Sequence, residues 1–171
     1  MKEDLRLVLI DSVYCDYLRK YDARVAYNNA DKETRPFIGA LININGVKYF
    51  APLASPKKKH LDPKMAKIRD FIRIDEGRLG GINLNNMIPV TDKNIEDVDL
   101  KIRATDNKNV KQYKILLINQ LQWLVAHDEK IKDKTKLLYD LYIKDRLWES
   151  LKSRCCDWKL LEEKCKDYNE K

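Results

Sequence analysis

An Asn-Gly pair at positions 45–46 constrains the fold of this chain more than any other feature. It separates two β-prone runs, Phe37 to Ile44 (FIGALINI) and Val47 to Leu53 (VKYFAPL). A two-residue hairpin turn needs positive φ at both central positions, which Asn and Gly adopt readily. The sequence therefore predicts an antiparallel hairpin centred on residues 45–46.

Other short segments of the first half also have the patterns of strands and of a helix. Apolar runs and alternation predict three more strands, at Leu5 to Ile10, Lys67 to Ile74 and Ile82 to Val90. Asp11 or Ser12 can cap a helix whose apolar residues recur at helical spacing as far as Tyr21. The polar stretch from Asp22 to Thr34 predicts a loop.

The hydrophobic period changes near Val110, and no proline follows Pro89. Apolar stripes at three- and four-residue steps then predict a helix around Tyr113–Leu124, a second around Leu137–Tyr142 and one or two more between Trp148 and Cys165. The expected fold is one α+β domain over residues 1–171, a compact antiparallel sheet with a barrel-like core, packed helices and a helical C-terminal half. The helical stripes place three tryptophans in the core or at an interface: Trp123, Trp148 and Trp158.

The charge balance favours a polyanionic partner. The chain has 34 Lys and Arg against 27 Asp and Glu, a formal net charge of +7. No apolar run approaches the roughly 20 residues of a membrane span, and acidic residues interrupt the N-terminal segment where a signal peptide is apolar. We therefore expect a cytoplasmic protein with no membrane partner. No helix-turn-helix pattern is present, so DNA is not an expected partner.

The cysteines and histidines do not form a metal-binding pattern. The four cysteines lack CxxC spacing and are predicted to be structural thiols. The two histidines, His60 and His127, are far apart and have no Cys or carboxylate at ligand spacing. We therefore expect no structural zinc site and no cofactor. Carboxylates that could bind magnesium are plentiful, but they form no DxD-like cluster. His127, at the end of a predicted helix, is expected to face the helix dipole or the surface.

The sequence SPKKKH at residues 55–60 is the most informative stretch for function. Pro56 fixes its own φ and favours an extended conformation for Ser55, so the hydroxyl and the following ammonium keep a defined relative direction. Three lysines and a histidine directly after a predicted strand suit a phosphate group. Composition alone favours the alternative, a solvated surface loop.

Six segments resemble motifs of one protein family, in order and at similar spacing from residue 12 to residue 164. They are SVYCDYL (12–18), RPFIG (35–39), KYFAPLASPKK (48–58), INL with MIP (82–89), YK with QLQ (113–122) and LLEEK (160–164). Together they resemble the ToxN/AbiQ family of endoribonucleases, toxins of type III toxin–antitoxin systems that a repetitive structured RNA holds inactive. Tyr49 and Phe50 alternate within one of these segments, so we expect one to face the core and the other to stack on a base.

The resemblance implies a fold and a chemistry. The fold would be a compact β-core similar to Kid/MazF-type toxins, with added helices. The reaction would be metal-independent RNA cleavage by the substrate's own 2′-hydroxyl, leaving a 2′,3′-cyclic phosphate and a 5′-hydroxyl. Such a reaction needs proton transfer at two oxygens and positive groups around the phosphorane, but no protein nucleophile.

The resemblance also assigns residues. Ser55 and Lys57 match the family's active-site serine and lysine, and Tyr14 matches a tyrosine lining the same site. The predicted phosphate-binding residues are a basic residue just before Pro36 and three residues of the SPKKKH stretch: Arg35, Lys58, Lys59 and His60. His60 is expected to be a surface phosphate contact rather than a general base.

Two positions depart from the family pattern. Ala54 stands where the family commonly has threonine or serine, so a hydroxyl donor to the phosphate is missing. Tyr27 is the only candidate for a second family tyrosine, and its spacing from Phe37 differs from the family's.

By resemblance, the partner is a repetitive antitoxin RNA with pseudoknot units, which the toxin itself cuts. Protein and RNA would close into a ring, usually a heterohexamer. Cellular or phage RNA would be the other substrate, with growth arrest and phage abortive infection as the outcome. A non-catalytic RNA-binding module is the alternative, and Ala54 is its only support.

Overall fold

A computed structural model describes residues 3–26 and 35–170, which form one sheet with packed helices. The strands are β1 (Arg6–Ile10), β2 (Phe37–Gly39), β3 (Asn43–Ile44), β4 (Val47–Ala54), β5 (Phe71–Arg73), β6 (Gly81–Asn83), β7 (Ile88–Val90) and β8 (Ile95–Asp97). The helices are α1 (Ser12–Arg19), α2 (Lys108–Ala126), α3 (Asp128–Ile143), α4 (Glu149–Lys152) and α5 (Trp158–Asn169). The α+β class and the helical C-terminal half are confirmed. Residues 27–34 of the predicted loop, Tyr27 included, lie outside the described residues.

The predicted hairpin is present as β3 and β4. Asn45 and Gly46 have φ of 52° and 87°, and the Asn43 side chain accepts the Gly46 N–H at 2.8 Å. Strand β4 is the centre of the sheet, since it pairs antiparallel with β2, β3, β6 and β7. In the described part of the chain the sheet runs β5-β6-β4-β2-β1-β8 and stays open, with β5 and β8 as its edges.

Two strand predictions were too long. Of the segment 67–74 only Phe71–Arg73 is a strand, because Asp62 and Pro63 start a 3-10 turn that runs to Lys67. The segment 82–90 is two strands, β6 and β7, separated by a 3-10 turn at Leu84–Asn86. Each of these strands pairs separately with β4, so the chain bends between them.

The core lies where α3 and α5 cover the sheet. Trp158 is fully buried, and its Nε1–H donates to the Met87 carbonyl oxygen at 2.9 Å. The Tyr49 ring lies 6.5 Å from the Trp158 ring, and its hydroxyl donates to Glu162 at 2.5 Å. Phe50 is also fully buried, packed so closely beside Gly39 that a Cβ there would meet its ring at 2.4 Å. The prediction that one of Tyr49 and Phe50 would reach a base is therefore wrong, because both faces of β4 are covered.

Other core predictions were partly right. All four cysteines are buried, and none of them forms a disulfide within the described residues. Trp158 is in the core. Trp148 is 83% exposed, so of its two predicted places the core is excluded, and a place at an interface stays a prediction. His127 ends α2 and lies under Trp123, with ring centroids 3.9 Å apart. No helix within residues 3–26 and 35–170 is long and apolar enough to cross a membrane.

Candidate active site

The candidate active site lies at the end of the central strand β4. Ala54, its last residue, pairs with Gly81 of β6. On the other side, β2 pairs Phe37 with Pro52, and the Leu53 N–H donates to the Pro36 carbonyl oxygen at 3.1 Å. Continuing this register sets Arg35 opposite Ala54. The sheet thus brings the basic residue before β2 to the start of the SPKKKH stretch.

The residues directly after β4 are open to solvent. Ser55, Pro56 and the three lysines, Lys57 to Lys59, are all exposed. Within the part of the chain that the structure describes, none of these lysines has an ion-pair partner. Their charge is therefore available to an anionic ligand.

His60 has a different position from the one predicted. Its side chain is only 2% exposed, so it is not a surface phosphate contact. Its ring Nδ1 accepts the main-chain N–H of Lys57 at 3.2 Å, while the main-chain N–H of His60 donates to the Lys57 carbonyl oxygen at 2.9 Å. Because Nδ1 accepts, the neutral ring carries its proton on Nε2. Burial, with Lys59 and Lys57 as further causes, lowers the pKa of His60 below its usual 6.5 and favours this neutral form.

Two residues from other segments pack against the 3-10 turn that contains His60. The ring stacks on Phe71 of β5, with centroids 5.1 Å apart. Gly77 has φ of +90°, and a Cβ built on it would meet the His60 carbonyl oxygen at 2.0 Å. Only glycine permits both this backbone conformation and this close approach. The direction of Lys57 therefore depends on the turn at 75–77 as well as on its own loop.

A cleft of about 210 Å³ opens beside the loop. Residues of five segments line it: Ala54, Lys57, Lys59, His60, Met65, Asp70, Phe71, Asn83 and Asn85. Asn83 and Asn85 add neutral amide groups to the lining of the same cleft. The resemblance includes Asn83 in a motif but gives neither asparagine a role; the run Asn83-Leu84-Asn85-Asn86 inside a predicted strand was the available signal.

Asp70 also lines the cleft and was missed. It is only 4% exposed, and its carboxylate pairs with Arg154, with nitrogen–oxygen distances of 3.0 and 3.2 Å. Because a guanidinium neutralises this buried carboxylate in a two-bond geometry, it does not leave an uncompensated negative charge in the cleft. The pair joins residues 84 apart in the sequence, which no local pattern can indicate.

Tyr14 does not line this cleft. It is fully buried, and its hydroxyl donates to the Pro89 carbonyl oxygen at 2.5 Å. Its ring packs edge-on against Tyr168 of α5, with centroids 5.0 Å apart, and burial strongly raises its pKa. The expected position of Tyr14 at the site is therefore corrected to one in the core, because the inner face of α1 packs against α5.

The arrangement suits a phosphodiester. It has the exposed hydroxyl of Ser55 and the ammonium of Lys57, whose main chain is bonded to His60. Further lysines and the amides of two asparagines lie in the same region. Fixed charge of this kind stabilises negative charge as it develops on a phosphate. No group of three or more His, Cys, Asp or Glu side chains within residues 3–26 and 35–170 is placed to hold a metal ion.

Comparison with known proteins connects this geometry to one family. The model of the family described as toxin ToxN, type III toxin–antitoxin system, matches residues 6–166. Endoribonuclease ToxN of Bacillus thuringiensis subsp. kurstaki is 33% identical over 175 residues, covering 99% of this chain and 87% of the relative.

Solved structures agree with this match. AbiQ, a lactococcal anti-phage endoribonuclease of the type III class, has a TM-score of 0.81 at 26% identity, covering 99% of this chain and 100% of that chain. A chain from a bacterial type III system, in which a non-coding RNA pseudoknot selectively inhibits the toxin, has a TM-score of 0.78 at 31% identity. That comparison covers 99% of this chain and 100% of the other.

Proposed function

Because this chain belongs to the ToxN family of type III toxin–antitoxin toxins, we propose that it is an endoribonuclease whose active site is the cleft at the end of β4. The observation that carries the proposal is the hydrogen bond by which buried His60 fixes the main chain of Lys57. Its ammonium stands exposed beside the cleft, while buried His60 fixes its main chain. Because the main chain of Lys57 is fixed, its ammonium reaches the cleft from a defined direction, and less reorganisation is needed as charge develops in the transition state.

The proposed reaction uses the 2′-hydroxyl of the RNA and no metal ion. The 2′-oxygen loses its proton and bonds to phosphorus, the bond from phosphorus to the 5′-oxygen breaks, and that oxygen gains a proton. The products are a 2′,3′-cyclic phosphate and a 5′-hydroxyl. Lys57 stabilises the phosphorane and Ser55 donates a hydrogen bond to a phosphate oxygen. Arg35, Lys58 and Lys59 attract and hold the RNA backbone.

His60 is a positioning residue in this proposal rather than a phosphate contact. Its ring is covered by protein and its Nδ1 is engaged with Lys57. It therefore acts through Lys57, by fixing the loop from which the ammonium leaves. Tyr14 supports the same region more remotely, through the packing of α1 on β7 and α5.

We also propose the biological partner. The related type III system has a toxin that an RNA pseudoknot inhibits, and AbiQ is an anti-phage enzyme. By analogy this toxin would act in the cytoplasm, cut and be inhibited by a repetitive antitoxin RNA, and assemble with it into a ring. Short tandem repeats followed by a terminator directly upstream of the gene would support this partner, and the absence of repeats would contradict it.

One experiment separates catalysis from RNA binding alone. Purified protein is incubated with single-stranded RNA in excess EDTA, and the new ends are analysed chemically. We expect cyclic-phosphate and 5′-hydroxyl ends from the wild type, and the same ends at a far lower rate from Lys57→Ala. Binding without any cleavage, with or without magnesium, would favour the alternative of a non-catalytic RNA-binding module.

A further inference from the structure

A second concave surface lies next to the cleft. A groove of about 410 Å³ runs between the segment before β5 and the segment around α4. We call it the basic groove, and its lining residues are Lys67, Ile68, Arg69, Leu141, Arg146, Leu147, Trp148, Ser150, Leu151 and Arg154. A trough of about 510 Å³ along α3 continues it and shares Lys67, Ile68, Arg69 and Leu141.

The basic groove and the catalytic cleft share one stretch of chain. Met65 and Asp70 line the cleft, while the residues between them, Lys67 to Arg69, line the groove. Arg154 lines the groove and pairs with Asp70 in the cleft. A strand of RNA that leaves the cleft along residues 65–70 therefore enters the groove directly.

The charge of the groove is of one sign. In the described part of the chain, no carboxylate is among its lining residues. Four cationic residues line it: Lys67, Arg69, Arg146 and Arg154. Arg154 is committed to Asp70, but the other three form no ion pair within residues 3–26 and 35–170. Unpaired cations along a groove attract a polyanion and hold its phosphates.

Trp148 supplies the second observation. Its side chain is 83% exposed on the wall of this groove, although burying a large apolar ring is strongly favourable. The other two tryptophans are packed, with Trp158 in the core and Trp123 stacked on His127. An exposed aromatic ring among cations is the arrangement that binds single-stranded nucleic acid, through base stacking combined with backbone charge.

We propose that the basic groove binds single-stranded RNA that extends from the cleft, with one base stacked on Trp148 and neighbouring phosphates held by Lys67, Arg69 and Arg146. This inference rests on the proposed function, because it takes the occupant of the cleft to be RNA. It adds a subsite outside the reacting phosphate, where affinity is gained without contact with the scissile bond.

The test measures binding separately from cutting. A labelled 2′-O-methyl oligoadenylate of about 12 nucleotides is long enough to pass beyond the cleft, and it has no free 2′-hydroxyl at which to be cut. Fluorescence anisotropy gives its Kd for wild type, Trp148→Phe and Trp148→Ala. Trp148→Ala should bind at least about fivefold more weakly, as loss of one base stack requires, while Trp148→Phe keeps most of the affinity.

Salt dependence tests the cations. Arg146→Ala should lower the slope of log K against log salt by about 0.7, as expected for one lost phosphate contact on a single strand. Lys93→Ala is the matched control, since Lys93 is exposed next to β8, at the opposite edge of the sheet from β5. It should leave both the Kd and the slope unchanged.

The outcomes separate the groove from the proposed function. Wild-type affinity in Trp148→Ala, with an unchanged thermal melt, would overturn the groove proposal even if the enzyme cuts RNA normally. Loss of affinity in Trp148→Ala and retention in Trp148→Phe would support it. If that pattern is found but no RNA is ever cut, the groove stands and the endoribonuclease proposal fails.

Discussion

The main-chain N–H of Lys57 donates to Nδ1 of His60 at 3.2 Å, so a buried imidazole fixes the loop that carries the exposed lysine. Lys57 precedes the 3-10 turn Lys58–Leu61 as its N-cap and His60 lies within it, yet Lys57 faces solvent and His60 packs on Phe71. The two residues therefore have different roles in the proposed site. Lys57 contacts the phosphate, and His60 fixes the main chain from which the Lys57 side chain extends.

Lys57→Ala should lower the cleavage rate by on the order of 10²-fold or more, which is what one fixed electrostatic donor commonly supplies. RNA affinity should fall much less, because Lys58, Lys59 and Arg35 remain. Single-turnover cleavage and anisotropy on the same RNA measure the two effects, with Lys93→Ala as the charge-matched control. Cleavage at the wild-type rate would show that Lys57 does not stabilise the transition state and only adds to the positive charge of the surface.

The stability of the loop should depend on pH through His60. Burial lowers the pKa of His60 below its usual 6.5 in the folded protein, so the unfolded chain binds this proton more readily. The stabilisation by neutral His60 is therefore complete above pH 6.5, and it is lost as the pH falls below 6.5 towards the lowered folded pKa.

His60→Asn separates this effect from general acid unfolding. Asparagine keeps an oxygen acceptor near the position of Nδ1 but does not titrate. Between about pH 7 and about pH 5, the Tm and cleavage rate of the wild type should fall more steeply than those of His60→Asn. Parallel pH profiles for the two proteins would show that His60 does not carry the pH dependence.

Gly77→Ala should cost both stability and activity. Alanine at φ of +90° is strained by about 1–2 kcal/mol, and its Cβ would also displace the His60 carbonyl oxygen, only 2.0 Å away. Gly46→Ala is the matched control, because Gly46 has φ of +87° but nothing within 4 Å of its added Cβ. Chemical unfolding should show a larger loss for Gly77→Ala, and only this variant should slow cleavage. Equal losses and normal cleavage in both would remove Gly77 from the support of the site.

Much of this architecture follows from local rules. The turn at Asn45 and Gly46 and the start of α1 after Asp11, whose carboxylate accepts the Val13 N–H at 3.0 Å, depend on neighbouring residues only. The long helices are equally predictable, because their apolar stripes repeat at helical spacing. The residues of the SPKKKH stretch also lie together, since they are consecutive in the chain.

The errors concern burial, which depends on distant segments. Nothing adjacent to His60 indicates that Phe71 and Gly77 will cover it, and nothing adjacent to Tyr49 indicates that Glu162 will reach it. Trp148 is the reverse error: its position on an apolar stripe suggested burial, but the ring is exposed because no other described helix or strand covers it. The cleft itself combines five segments, so its asparagines and Asp70 become neighbours only in three dimensions.

Ala54→Thr should raise the cleavage rate. Ala54 lines the cleft and ends β4, where a β-branched residue is well accommodated, so a threonine hydroxyl would be near the phosphate. Such a hydrogen bond strengthens as charge develops. Ser55→Ala should be more damaging in the natural chain than in Ala54→Thr, because the second hydroxyl then shares the role.

A double-mutant cycle of Ala54→Thr and Ser55→Ala, followed by single-turnover kinetics, measures this coupling. Unchanged cleavage by Ala54→Thr together with a mild Ser55→Ala effect would show that neither hydroxyl contacts the phosphate in the transition state.

The most direct test of the central claim replaces one 2′-hydroxyl. An RNA cut at a single mapped position is compared with the same RNA carrying 2′-deoxyribose on the 5′ side of that bond, in excess EDTA. The account predicts rapid cutting of the all-ribose strand, with cyclic-phosphate ends, and no cutting of the substituted bond. Equal cutting of both strands, or cutting of either one only after magnesium is restored, would contradict cleavage by the substrate's own 2′-hydroxyl.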